Sequence, residues 1–200
     1  ANWTVGSFSN PDVFSRSIIT TSYEYLLGTA QGSGIIPVPL SSTQCGANNL
    51  PTECDLSASL LNGIYIADES VTLISASGTY EFPENKDFII LINGDLTIDE
   101  KIHVPIGSTA IFSAKGKIIV NQNVGESYSA SCTASDHRGC SIEGLYSADK
   151  DFVADQIDIC PLGTHNRLNI AGSVIANAGK SGGGFVNKRD LCAYNSSHPS

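Results

Sequence analysis

The sequence predicts an all-β fold of stacked, repeating strands, on three observations. The stretch Phe88 to Ile98 reads as strand, tight turn, strand. Its apolar run is too short for a stable helix and rich in β-branched residues; it breaks at Asn93-Gly94 and resumes with apolar and polar residues alternating. Ile170-Ala171-Gly172-Ser173-Val174 lines up with Ile92-Asn93-Gly94-Asp95-Leu96, and Gly144-Leu145-Tyr146 precedes it as Gly63-Ile64-Tyr65 precedes the first copy. Gly63 to Gly144 is 81 residues and Gly94 to Gly172 is 78, so one long unit is expected twice, in a stacked, quasi-one-dimensional arrangement. The plainer alternative is two unrelated hairpins built from common strand residues.

In chain order, Pro11 to Leu27 is ambiguous. Asn10-Pro11 suits a helix start and Gly28 a helix end, but Ile18-Ile19-Thr20-Thr21 is β-branched, which favours strand, with a short helix over Tyr23 to Leu27 as the alternative. Gly28 to Cys54 is rich in Gly, Ser and Pro, and Pro37-Val38-Pro39 forces extended backbone without a ladder donor at either proline. The densest strand signals are Ile64 to Ala67, Val71 to Ile74, Phe88 to Ile92, Leu96 to Ile98, Thr109 to Ala114 and Lys117 to Val120. Gly94, Gly107 and Gly116 fall between runs, where corners need positive φ or close backbone approach. Strands resume at Ile142 and again over Leu168 to Ala176. The expected organisation is a single domain over 1–200: cap and loop region 1–59, first repeat 60–124, inserted loop 125–141, second repeat and tail 142–200.

Alternation assigns Ile64, Ile66, Ile90, Ile92, Leu96, Ile98, Ile111, Ile119, Leu168, Ile170 and Val174 to one continuous core. Tyr65 and Tyr146, equivalent in the two units, are read as packing residues.

Only 16% of the 200 residues are charged and the net charge is -9, a balance that repels a phosphate backbone and argues against nucleic-acid binding. No run approaches the ~20 apolar residues of a membrane-spanning helix. The chain starts at Ala1 and contains no Met, so a removed signal peptide or upstream region, or an excised domain, is expected. Six cysteines, Cys45, Cys54, Cys132, Cys140, Cys160 and Cys192, sit in loop-like surroundings without C-x-x-C pairs. They are read as disulfides in an oxidising compartment, and proximity pairs Cys45 with Cys54, Cys132 with Cys140 and Cys160 with Cys192. Asn2 and Asn195 head glycosylation sequons that matter only in a glycosylating host.

Asn93-Gly94-Asp95-Leu96-Thr97-Ile98, the closely spaced strands and the second round ending in Leu168 to Ala176 resemble the β-solenoid segments of secreted bacterial cell-surface and pilus-associated proteins. The resemblance covers about Leu60 to Asn177. It implies a right-handed parallel β-helix with disulfide-stapled loop insertions, displayed outside the cell. The cysteine-bearing insertions and uneven strand spacing depart from a regular solenoid.

No site with an enzyme's residues stands out. His103, His137, His165 and His198 are scattered; His137 shares a loop with Asp136 and Arg138, which could bind an anion or an acidic sugar, but a solvated loop is the favoured reading. Asp149, Asp151 and Asp155 crowd one region and Asp99 and Glu100 another; the default reading is a solvated acidic rim, with a structural calcium as the alternative, although the spacing is neither an EF-hand nor a calcium-binding β-roll. No cofactor and no catalytic residue are assigned. The expected function is that of an extracellular structural protein, a module of a surface, pilus or filament assembly that self-associates or binds other surface proteins. The alternatives are a polysaccharide-active enzyme and a glycan-binding adhesin domain.

Overall fold

The computed structural model describes residues 20–40, 53–54, 61–75, 77–126, 132, 139–155, 167–179 and 182–189. Asn2, Asn195, Cys45, Cys160, Cys192, Asp136, His137, Arg138, His165 and His198 lie outside them. One helix, α1 (Tyr23–Gly32), leads the described chain. Ser22 caps it: its backbone is extended, and its hydroxyl accepts from the Tyr25 N–H at 3.4 Å.

Among the described residues fourteen strands follow: β1 (Val38–Pro39), β2 (Glu53–Cys54), β3 (Gly63–Ala67), β4 (Val71–Leu73), β5 (Thr79–Glu81), β6 (Asp87–Ile92), β7 (Leu96–Ile98), β8 (Lys101–His103), β9 (Thr109–Ala114), β10 (Ile118–Val120), β11 (Ile142–Ala148), β12 (Phe152–Ala154), β13 (Ile170–Ile175) and β14 (Phe185–Asn187). They form two sheets. The larger runs β1-β3-β6-β9-β11-β8-β5, with β13 also on β11; the smaller runs β14-β12-β10-β7-β4-β2. All pairings between these strands are parallel. Asn93-Gly94-Asp95 is the corner between β6 and β7, which lie in different sheets.

This corrects the expected all-β parallel β-helix. The strands make two stacked parallel sheets, the larger curled into a half-barrel, and together with the helix they have the character of an α/β-type fold. Two features account for the difference. The Ser22 cap turns Tyr23–Gly32 into helix where the β-branched run before it favoured strand. The strand β11 serves three neighbours, β9, β8 and β13, so the larger sheet branches instead of following one uniform repeat.

Register also replaces the 80-residue equivalences. Tyr65, Ile90, Phe112, Tyr146 and Val174 stand side by side on β3, β6, β9, β11 and β13. Tyr65 and Tyr146 are thus members of one inward column, three strands apart. Gly172 pairs with Gly144 inside the sheet, whereas Gly94 occupies a corner.

The core lies between the sheets. From the larger sheet it takes the Tyr65 column, in which the Phe112 and Tyr146 rings stack at 5.1 Å; the smaller sheet supplies Val71, Leu96, Ile118 and Phe152. Of the expected core residues, Ile90, Ile92, Leu96 and Ile98 are buried. Ile64, Ile66, Ile111 and Ile119 are half-buried on the outward face, and their neighbours Tyr65, Ala67, Phe112, Ile118 and Val120 point inward instead. A one-residue error of parity moves a whole strand to the other face. Leu168, Ile170 and Val174 are half-buried and pack on the core from its end.

Cys132 and Cys140 are joined in a disulfide, and Cys54, fully buried on β2, is also disulfide-bonded. No described helix is long and apolar enough to cross a membrane.

Candidate functional site

The corners that carry the chain from the larger sheet to the smaller one stack above each other and concentrate the charges. Asp68-Glu69-Ser70 follows β3, Asn93-Gly94-Asp95 follows β6, Lys115-Gly116-Lys117 follows β9 and Asp149-Lys150-Asp151 follows β11. Helix α1 lies beside them. Its entry is pinned from outside the larger sheet: Ser113 Oγ donates to the Thr21 carbonyl at 2.8 Å, and Ser147 Oγ to Thr21 Oγ1 at 2.9 Å. Between helix and corners runs a groove of about 500 Å³ lined by Glu24, Ser70, Asp95, Lys115, Asp149 and Lys150.

Asp149, Asp95, Asp151 and Glu24 are each tied to a neighbouring element. Asp149 Oδ1 accepts the Tyr23 N–H at 3.2 Å, a carboxylate set at the positive end of α1. Burial pushes the Asp149 carboxyl up, and the Tyr23 hydrogen bond only partly offsets it. Asp95 Oδ1 accepts the Lys117 N–H at 2.7 Å, and the Asp95 N–H donates to Ser70 Oγ at 2.9 Å. Asp151 pairs with Lys117 Nζ at 3.0 Å and accepts the Gly184 N–H at 3.0 Å; the Lys117 contact, first among the causes, holds its carboxyl below the usual range. Glu24 pairs with Lys115 at 2.9 Å, and the Lys115 ammonium sits 5.6 Å from the centre of the Tyr23 ring. The arrangement is a ladder of two ion pairs and of hydrogen bonds from backbone N–H groups that links successive corners and the helix. Gly116 is required by that packing: a Cβ there would lie 1.9 Å from Asp95 Oδ1.

The structure therefore brings Asp149 and Asp151 to one corner. It places Asp155 after β12, where it pairs with Lys188 at 3.1 Å. Asp99 and Glu100 form a separate turn between β7 and β8, and burial, helped by Asp99, raises the Glu100 carboxyl. Among the described residues no group of three or more His, Cys, Asp or Glu side chains is placed to hold a metal ion.

Sequence reasoning missed Glu143, which is buried on β11. Its Oε2 accepts the Val104 N–H at 2.6 Å and lies 3.0 Å from His103 Nδ1, while the Tyr146 hydroxyl donates to the Glu143 carbonyl at 2.7 Å. The available signal was a lone acid inside the apolar run that starts at Ile142. Nearby, Lys101 pairs with Glu126, and Glu126 and Arg167 exchange backbone hydrogen bonds of 2.9 and 2.8 Å. Comparisons with protein-family models, with curated proteins and with solved structures find no match.

Proposed function

We propose that this chain is an extracellular structural module, a rigid part of a surface, pilus or filament assembly whose partners pack against the uncovered end of its sheets. One observation carries the reading. The aromatic column Phe112, Tyr146, Phe152 is fully buried until its last member, Phe185, which stacks on Phe152 at 5.5 Å yet stays 57% exposed. A core ring left half in water at a strand edge suits a protein neighbour that completes the layer. The Cys132–Cys140 disulfide fits an oxidising, exported setting. The groove beside α1 supports enzyme action less well, because its acids are engaged in joining corners to one another and to the helix.

The test compares two variants in native material. Phe185→Asp should release the protein from its assembly, at least tenfold, with an unchanged far-ultraviolet circular dichroism spectrum, while Asp149→Asn leaves it assembled. Polysaccharide turnover abolished by Asp149→Asn, with assembly indifferent to Phe185→Asp, would establish the enzyme instead.

A further inference from the structure

The two ends of the stacked sheets differ in a way that restricts how copies can join. Away from β13 the larger sheet ends in two short edges, β5 of three residues and β1 of two. The Leu40 N–H donates to the Ile66 carbonyl at 2.9 Å, so by alternation the amide position of Pro39 faces away from β3, towards the open edge, where proline has no proton to give. That edge is blunted against strand addition. At the other end β13 offers six residues, and no described strand pairs with its free edge; β14 beside it is exposed along its length, with Phe185 and Val186 uncovered.

We infer that a second copy of this chain docks on the β13 and β14 end, related by a two-fold axis, and that the contact closes as a dimer. The inference rests on the proposed structural role and deepens it by naming the partner. Three observations support it. First, antiparallel self-pairing of β13 about Gly172 sets Ile170 opposite Val174 and Ala171 opposite Ser173; inward residues meet inward ones, so the core continues across the contact. Second, residues 167–179 carry one charge, Arg167, in a chain of net charge -9, so two copies meet there with the least repulsion. Third, a head-to-tail contact that continues the larger sheet from β13 would meet the proline-blunted β1, and the other far edges, β2 and β5, are only two and three residues long, which disfavours an open chain of copies.

The purified chain should run in light scattering at twice its 21.0 kDa mass. Ser173→Glu combined with Val186→Glu, and Ser173→Lys combined with Val186→Lys, place like charges across the axis; each double variant should dissociate at least tenfold more readily while keeping its circular dichroism spectrum. An equimolar mixture of the two should recover the dimer, because opposite charges then face each other. A mass that climbs beyond two chains with concentration, or a mixture that stays dissociated, overturns the inference. A monomeric wild type whose native association still depends on Phe185 also overturns it, and leaves the structural role standing.

Discussion

Gly172 lies against Gly144 so closely that a Cβ on Gly172 would sit 1.9 Å from the Gly144 carbonyl oxygen. The two residues are register partners on β13 and β11, with φ of +146° and +119°, a region that side chains disfavour. Gly172→Ala should therefore lower stability by about 1–3 kcal/mol, as overpacking in a filled site does. Urea unfolding checks this, and an unchanged midpoint would show that β13 does not approach β11 as described.

Asp149 and Asp151, two residues apart, should respond to pH in opposite directions. Burial, first among the causes, raises the Asp149 carboxyl, so the folded chain holds that proton more tightly than the unfolded one. The resulting stability is fully present below the ordinary carboxylate pKa and is lost as pH rises through the folded value. Asp149→Asn should flatten the decline in stability that sets in as pH rises above the ordinary carboxylate range. The Lys117 contact lowers Asp151, whose contribution is present above the ordinary value and lost as pH falls through the lowered one; Asp151→Asn should flatten the acid limb. Urea midpoints across pH read both slopes, and an Asp149→Asn slope equal to the parent's would contradict the burial of that carboxyl.

Much of the strand inventory was legible. The runs at Ile64, Val71, Phe88, Leu96, Thr109 and Lys117 correspond to β3, β4, β6, β7, β9 and β10. Facing was harder, because apolar residues occupy both faces of the larger sheet. Leu91 is fully buried beside the inward-pointing Ile90 and Ile92, and Ile64 and Ile111 are half-covered on the outer face, so alternation did not identify the inside. The three-residue strands β5 and β8 each present a single buried residue, Tyr80 and Ile102, too little for a periodic signal. Asp149 and Asp151 stand out in the sequence as one crowded acidic region, whereas Asp95 and Glu24 do not; the partners Tyr23, Ser70 and Lys117 come from other corners and from the helix, contacts that only the stacking of corners creates.

The Cys132–Cys140 bridge closes a separation of eight residues. Replacing both cysteines with serine should cost about 2–3 kcal/mol by the chain-entropy argument. Peptide mapping without reduction should recover this link together with Cys45–Cys54 and Cys160–Cys192. A Cys54–Cys132 peptide would contradict the pairing.

Hydrogen exchange on native assembled protein, compared with the same protein dispersed, tests the structural role most directly. Assembly should slow exchange at 170–175 and 185–187, the strands with uncovered edges, and leave the corner residues 93–95 and 115–117 unchanged. Protection that appears instead around Asp149 and Lys115, with β13 and β14 exchanging alike in both states, would contradict the account and place the functional surface in the groove beside the helix.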